Sequence, residues 1–192
     1  MNKAQELEKV NDEIRKCKIC LIDKIGMAVP GEGSAMAEVV FIGEAPGKKE
    51  AVTGRPFIGR SGNLLRSLIA DAGLKVEEVY ITSSVKYLPK KGTPTSVDIV
   101  HGRIHLLKQL AIIQPKYIVL LGSTAVQAVL GEKLLLMKVH GTVVHKDGST
   151  YFIILHPAAV LRNPGIRNLI FQDFEKLRQL LSAPLNSTSE VE

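Results

Sequence analysis

Short apolar runs alternate along this chain with segments in which apolar residues recur every three or four positions. The apolar runs predict strands buried on both faces, as the strands of a parallel sheet are. They occupy residues 39–42, 79–82, 117–121 and 151–155. The segments with helical spacing predict amphipathic helices. They occupy residues 2–17, 61–72, 98–113, 124–130 and 166–181. Because strands alternate with helices, we predict an α/β fold, a three-layer α/β/α sandwich with a central, mainly parallel sheet of about four strands.

Two details of this pattern can be checked against a structure. In the helix predicted over residues 98–113, the spacing assigns an inward face to Ile99, Ile104, Leu107, Leu110 and Ala111. Farther along, the turn sequence Lys146-Asp147-Gly148 lies between two apolar runs, which predicts a hairpin.

Composition and charge narrow the class of protein. With 192 residues, of which 45% are hydrophobic and 23% charged, the chain can bury a globular core. We predict a single domain over residues 1–181 and a polar, disordered tail over residues 182–192. The charged residues 1–18 do not resemble a signal peptide, and no apolar run reaches the ~20 residues that span a membrane. We therefore expect a cytoplasmic protein without a membrane partner, and we expect a monomer because no feature of the sequence suggests a larger assembly. The net charge of +6 is compatible with a nucleic-acid partner.

Residues 39–59, VVFIGEAPGKKEAVTGRPFIG, contain several candidate functional residues. A strand ends there in the turn GEAPG, which places backbone N–H groups and the carboxylate of Glu44 at the carboxyl edge of the sheet. That edge is where open α/β sheets bind ligands. A second carboxylate follows at Glu50. Phe57 lies in the Gly- and Pro-containing loop after it, where we expect the ring to be presented rather than packed.

Four loops follow four predicted strand ends, and in a parallel sheet they gather at one edge. Their sequences are GEAPG, SSVKYLP, GST and HPAAVLRN. His156 begins the last of them, followed by small residues that would let a backbone approach a ligand, and by the cation of Arg162. A lone histidine in such a place is more often a capping or packing residue than a catalyst, so the position alone leaves both interpretations open.

The ordered series CxxC, GEAPGxxE, TGRPFIG, xVKxxP, PKxIVLLG and HPAA resembles the uracil-DNA glycosylase superfamily, most closely its type-four, iron–sulfur family. The resemblance extends over residues 17–181. It implies an enzyme of base-excision repair that flips a deaminated base, uracil first of all, out of DNA and hydrolyses its N-glycosidic bond.

The resemblance also implies roles for individual residues. Catalysis would rest on Glu44, Glu50 and His156: Glu44 would position or deprotonate water, and His156 would donate to uracil O2 as negative charge develops there. The flipped base would contact Ala45, Gly47, Phe57 and Ser83, with the ring of Phe57 as the stacking surface. The DNA backbone and minor groove would be contacted by Lys86, Ser123, Leu161 and Arg162.

The chain departs from the family at the iron–sulfur cluster, which the family holds on four cysteines. Cys17 and Cys20 match the first pair, but the third position is Tyr87 and the fourth is Gly102, with His101 beside it. Neither tyrosine nor glycine is a usual cluster ligand. We therefore predict no cofactor and interpret the two cysteines as a degenerate remnant. A different metal on Cys17, Cys20 and His101 is the alternative.

A second departure is Ser83, which stands where the family has an asparagine that reads the Watson–Crick edge of uracil. A hydroxyl cannot present the paired donor and acceptor of an amide, so we expect weaker or broader base selection.

Beside an active glycosylase, two other hypotheses for the function stay open. One is a DNA-binding protein that kept the fold and lost efficient excision. The other is a covalent uracil trap, suggested by the string Gly102-Arg103-Ile104-His105, which we interpret as coincidence because it lies inside a predicted helix.

Overall fold

The computed structural model describes residues 1–182. Its helices are α1 (Lys3–Lys16), α2 (Lys48–Thr53), α3 (Arg60–Asp71), α4 (Ser96–Ile113), α5 (Ser123–Leu130), α6 (Leu136–Val139), α7 (Pro157–Arg162) and α8 (Arg167–Ser182), with a 3₁₀ turn over Pro164–Ile166. Its strands are β1 (Lys24–Ile25), β2 (Glu32–Gly33), β3 (Val39–Gly43), β4 (Tyr80–Ser83), β5 (Leu88–Pro89), β6 (Tyr117–Leu121), β7 (Thr142–Lys146) and β8 (Ser149–Ile154).

Six of these strands form one sheet in the order β2-β4-β3-β6-β8-β7, and β1 pairs with β5 separately. The four inner strands β4, β3, β6 and β8 are parallel, whereas β2 and β7 are antiparallel edge strands. The predicted α/β sandwich is thus confirmed. The sheet exceeds the predicted four strands by its two antiparallel edge strands. Strand β2 has only two residues, too few to produce a periodic pattern, and β7 is the first strand of the hairpin that ends in β8.

The inner strands alternate their side chains between two cores, one on each face of the sheet. Phe41 and Val119 face the core that contains residues of α3 and α8, while Val40 and Ile118 face the core that contains residues of α1, α4 and α5. Strands β3 and β6 are buried along their full lengths, which explains why they appear in the sequence as unbroken apolar runs.

Helix α4 buries a side that only partly matches the one its apolar spacing predicts, since Ile99 is in the core as expected and Leu110 packs against it. Ile104 and Leu107 are exposed, with 51% and 42% of their surface accessible. The buried positions include His105 and Gln109 instead. The prediction was wrong for Ile104, Leu107 and Ala111, which are exposed. The polar side chains that are buried instead meet groups from distant parts of the chain, which the periodicity of one helix does not reveal.

The predicted hairpin is confirmed, since β7 and β8 pair antiparallel around Asp147, whose φ is +50°. Ser182 ends α8, and the rest of the predicted tail, residues 183–192, lies outside the described residues. Among the helices described, none has both the length and the apolar character needed to cross a membrane.

Candidate active site

The register of the central strands places the GEAPG loop next to the end of β4. Gly43 pairs with Ser83, and hydrogen bonds continue past both strand ends. The Ser84 N–H and hydroxyl both donate to the Gly43 carbonyl, at 2.9 and 2.8 Å, and the Val85 N–H donates to the Glu44 carbonyl at 3.0 Å. The loop that carries Glu44 is therefore anchored to the sheet on one side.

A cavity of about 390 Å³ opens at this carboxyl edge of the parallel strands. All four loops that the sequence analysis singled out contribute to it. Nine of the predicted site residues line the cavity: Glu44, Ala45, Gly47, Glu50, Phe57, Ser83, Ser123, His156 and Arg162. The two others, Lys86 and Leu161, are not among its lining residues. The structure thus brings most of the predicted residues together around one space, as the convergence of strand ends requires.

The carboxylate of Glu44 is oriented by α5. The Thr124 hydroxyl, in the first turn of that helix, donates to Glu44 Oε2 at 2.7 Å. Hydrogen bonds to an ionised carboxylate are among the stronger ones in proteins. Glu44 lines the cavity, and because Thr124 engages Oε2, the other oxygen can accept a proton or a hydrogen bond from water.

His156 stands at the N-cap of α7, and its ring has a defined protonation state. The Ala158 N–H donates to Nδ1 at 3.1 Å, so Nδ1 is unprotonated and the proton of the neutral ring resides on Nε2. Burial, with a smaller contribution from the Arg162 guanidinium, lowers the pKa of His156 to about 4. At neutral pH the residue is therefore an uncharged N–H donor at the cavity wall.

Phe57 also lines the cavity, but its ring is packed and only 7% exposed, which corrects the expectation of a presented aromatic. The ring lies so close to Gly43 that a β-carbon there would be 2.5 Å from its Cζ, and its centroid is 6.0 Å from that of His156. Phe57 has a φ of +50°, and α3 approaches it closely because Gly62 lacks a side chain. The rigid ring can serve as a wall for a planar ligand.

Glu50 lines the cavity, and one oxygen of its carboxylate is engaged by the backbone. It is buried, and its Oε1 accepts hydrogen bonds from the backbone N–H groups of Ile58 at 2.9 Å and Gly59 at 2.8 Å. These bonds connect α2 to the loop that carries Phe57. The geometry therefore favours a positioning role for Glu50, because Oε1 is already occupied by two backbone donors.

The prediction that Lys86 contacts DNA is wrong for this structure, because its side chain is buried with 1% of its surface exposed. Its Nζ donates to Thr82 Oγ1 at 2.6 Å and to Gln109 Oε1 at 2.7 Å. Burial lowers the pKa of Lys86 to about 7. The residue joins β4 to α4 inside the protein. By contrast, Leu161 on α7 is 38% exposed, and Arg162, the last residue of that helix, borders the cavity.

Two residues that position the site were missed by the sequence analysis. Thr124 lies one residue after the predicted DNA contact Ser123. Asp173 on α8 is fully buried, and its Oδ2 accepts from the Leu155 N–H at 3.4 Å, one residue before His156. An acidic residue within the apolar face of an amphipathic helix was the available signal for Asp173, since such a residue requires a buried partner.

A separate group of side chains lies between α1 and α4, away from this cavity. Cys17, Cys20, His101 and His105 each offer one ligand atom, and these atoms all lie within 4.8 Å of one another. The prediction of no cofactor treated the two cysteines as a degenerate remnant, with a different metal on Cys17, Cys20 and His101 as the alternative. The structure places two histidines beside them, so that prediction is not supported.

Comparison with known proteins decides the family. A sequence model of the Uracil DNA glycosylase superfamily matches residues 30–181. The chain belongs to the uracil-DNA glycosylase superfamily. It is 38% identical to the type-4 uracil-DNA glycosylase of Sulfurisphaera tokodaii over 193 aligned positions, covering 95% of this chain and 88% of that protein. It is 36% identical to the type-4 enzyme of Thermotoga maritima, covering 91% and 94% of the two chains.

A more distant member of the superfamily is also similar. The type-5 uracil-DNA glycosylase of Pyrobaculum aerophilum is 33% identical over 158 residues, covering 73% of this chain and 70% of that protein. Membership of the uracil-DNA glycosylase superfamily makes this chain a hydrolase of the glycosylase class, and the cavity lies where an α/β sheet of this kind binds its ligand.

Proposed function

We propose that the protein is a DNA repair glycosylase that flips a deaminated base, uracil first of all, into the cavity and hydrolyses its N-glycosidic bond. The observation that carries this proposal is the pairing of two complementary groups on one cavity. The carboxylate of Glu44, oriented by Thr124, and the neutral Nε2–H donor of His156 both line it.

The proposed chemistry uses these two groups in different ways. As the bond between C1′ and the base nitrogen breaks, its electron pair leaves with the base, and negative charge develops on uracil O2. The Nε2–H of His156 stabilises that oxygen, since a donor aimed at developing charge lowers the barrier. Water attacks C1′ while Glu44 accepts its proton. The products are an abasic sugar and the base anion, which takes up a proton from water while Glu44 returns its proton to the solvent.

Other residues supply binding and positioning. We propose that the flipped base packs against the ring of Phe57 and contacts Ser83, which is buried at the end of β4. Arg162 and Ser123 at the cavity, with the neighbouring Leu161, would contact the DNA strand from which the base is drawn. Flipping a base out of the stack is energetically unfavourable, and favourable contacts with the DNA strand offset part of that free energy. The monomeric state and the cytoplasmic location also stay part of the proposal.

The test is release of free base from oligonucleotides under single-turnover conditions. Substrates would carry uracil, hypoxanthine or xanthine, in single strands and in several base pairings. Glu44→Gln should abolish release while DNA binding persists. Glu77→Gln, a change at an exposed glutamate that does not line the cavity, is the matched control and should retain full activity.

Two outcomes would contradict the proposal. Absence of release from every substrate, with DNA binding intact, would favour the alternative of a DNA-binding protein that lost excision. An adduct with uracil-containing DNA that resists SDS would favour the covalent trap. A covalent trap of this kind would need the histidine of the Gly102–His105 string at the cavity. His105 is instead buried between α1 and α4 and does not line the cavity, which makes the trap the less favoured alternative.

A further inference from the structure

The group formed by Cys17, Cys20, His101 and His105 has the sequence spacing of a zinc site. The cysteines are separated by two residues and the histidines by three. Structural zinc sites use this combination, with cysteines two to four residues apart and histidines three to five apart. Here the two pairs are far apart along the chain, with 101 − 20 = 81 positions between Cys20 and His101, so only the fold brings them together.

Each pair is positioned by a defined element. Cys17 caps the carboxyl end of α1, and Cys20 lies in the turn after it, buried to 8% exposure. His101 and His105 are one helical turn apart on α4, so both rings project from one face, with their centroids 5.4 Å apart. The Sγ of Cys17 is 3.2 Å from Nε2 of His101.

His105 provides an independent indication of a ligand. The residue is 6% exposed, and neither Nδ1 nor Nε2 has a hydrogen-bond partner within the described part of the chain. A buried imidazole without partners is costly, and native proteins rarely tolerate such a group. Helix α4 is oriented so that His105 is buried while Ile104 and Leu107 are exposed. A metal bound to the His105 ring would explain this orientation.

The iron–sulfur cluster that the family resemblance implies does not fit these residues. Tyr87, at the third cysteine position, is buried, and its hydroxyl donates to the carbonyls of Ile14 and Arg15 at the end of α1. At the fourth position, a β-carbon on Gly102 would lie 2.2 Å from the Ser84 carbonyl oxygen. A cysteine there would therefore require a shift of the backbone.

The distances also favour one metal ion over a cluster. Around a tetrahedral zinc, bond lengths of about 2.0–2.3 Å place neighbouring ligand atoms about 3.3–3.8 Å apart. The four ligand atoms here lie within 4.8 Å of one another, so a small contraction forms that shell. In a multi-iron cluster, thiolates bind different irons and stand farther apart.

From these observations we propose that Cys17, Cys20, His101 and His105 form a mononuclear Cys₂His₂ zinc site in place of the family's iron–sulfur cluster. With four protein ligands it leaves no open position for a substrate, so its role is structural. It fastens the end of α1 and the turn after it to α4. The proposal does not depend on the excision activity, because none of the four residues lines the catalytic cavity.

The experiment measures metal rather than activity. The full chain is produced in cells supplied with both zinc and iron, purified under reducing conditions, and analysed for zinc, iron and acid-labile sulfide. We expect about one zinc per chain and no sulfide, as for a closed structural site. Cobalt added to the metal-free protein should give the visible absorption of a tetrahedral Co²⁺ ion with thiolate ligands.

Variants then assign the ligands. Cys20→Ser and His105→Ala should each weaken zinc binding by more than about 100-fold in competition with a chelator, since even the loss of an outer-shell partner costs 10–100-fold. His145→Ala removes an exposed histidine on β7 and should retain full zinc affinity. Iron with sulfide in stoichiometric amounts, a wild-type chain that binds neither zinc nor cobalt, or undiminished zinc in Cys20→Ser would each overturn the proposal. The cobalt spectrum of the wild type decides the matter even if a variant fails to fold.

Discussion

Substitution of His156 tests the proposed mechanism most directly. Its neutral Nε2–H is the donor proposed for the departing base, and removal of one such donor in other enzymes costs about 10²–10³ in rate, or about 2.7–4 kcal/mol. We therefore expect His156→Ala to lower the single-turnover rate of uracil release by about 100–1,000-fold, with a smaller change in DNA affinity. His156→Asn is the conservative variant, because its side chain can also cap α7 and present an N–H to the cavity. It should recover part of the rate.

The same residue predicts a pH dependence of stability. Its pKa in the folded protein, about 4, is lower than the ordinary value of 6.5, so folding favours the neutral ring. The stabilisation is complete above pH 6.5 and is lost as the pH falls from 6.5 towards 4. The 2.5-unit difference between those two values corresponds to at most about 3 kcal/mol, at 1.36 kcal/mol per unit. Urea unfolding should therefore show the wild type losing up to this amount relative to His156→Ala over that interval.

The NMR titration of the His156 ring, assigned through the His156→Ala spectrum, checks the charge state itself. The ring resonance should not move between pH 8 and 5.5, and the rate of base release should show no inflection attributable to His156 in that range. A midpoint near pH 6.5 for this resonance would refute the neutral-donor mechanism. A rate for His156→Ala within about threefold of the wild type would refute its catalytic role, since that ratio is below 1 kcal/mol.

Three further predictions concern other residues. Ser83→Asn should raise uracil excision by about tenfold or more, since one restored contact of 1.4 kcal/mol changes a rate tenfold, and an unchanged rate in that assay would show that Ser83 does not read the base. Thr124→Val should lower the excision rate about tenfold, because the Glu44 carboxylate loses its 2.7 Å hydrogen bond to the Thr124 hydroxyl. Thr124→Ser keeps a hydroxyl and should retain the wild-type rate. Equal rates for the two variants would show that the hydroxyl does not position Glu44. Lys86→Met should leave the salt dependence of DNA binding unchanged and lower the free energy of unfolding by about 1–3 kcal/mol, because its buried partners lose their hydrogen bonds. Arg162→Ala should reduce the slope of log affinity against log salt by about one. The reverse pattern in salt titrations would show that Lys86, and not Arg162, contacts DNA.

Local sequence determined the architecture and the position of the catalytic cavity. Short unbroken apolar runs such as residues 117–121 are typical of strands covered on both faces, and here they alternate with helices. Parallel strands place their carboxyl ends at one edge, so the loops that follow them had to meet. The positions of Glu44 and His156 on one cavity follow from that rule. Membership in the superfamily agrees with the motifs in those loops.

The inward face of α4 was decided only by the tertiary structure. Apolar periodicity favours burial of Ile104 and Leu107, yet the helix buries His105 and Gln109. Gln109 bonds Lys86 and Asn11, and Asn11 is 98 residues away along the chain. A buried polar side chain is tolerable only where a partner meets it.

The pairing of the two cysteines with two histidines has the same origin. Cys17 and His101 are 84 residues apart along the chain, yet their ligand atoms are 3.2 Å apart in the structure. The spacing between the two cysteines, and that between the two histidines, can be counted in the sequence. Whether the cysteines lie next to the histidines depends on how α1 packs against α4. The sequence therefore determines the ligand types and their spacing, and the packing of two helices determines that they form one site.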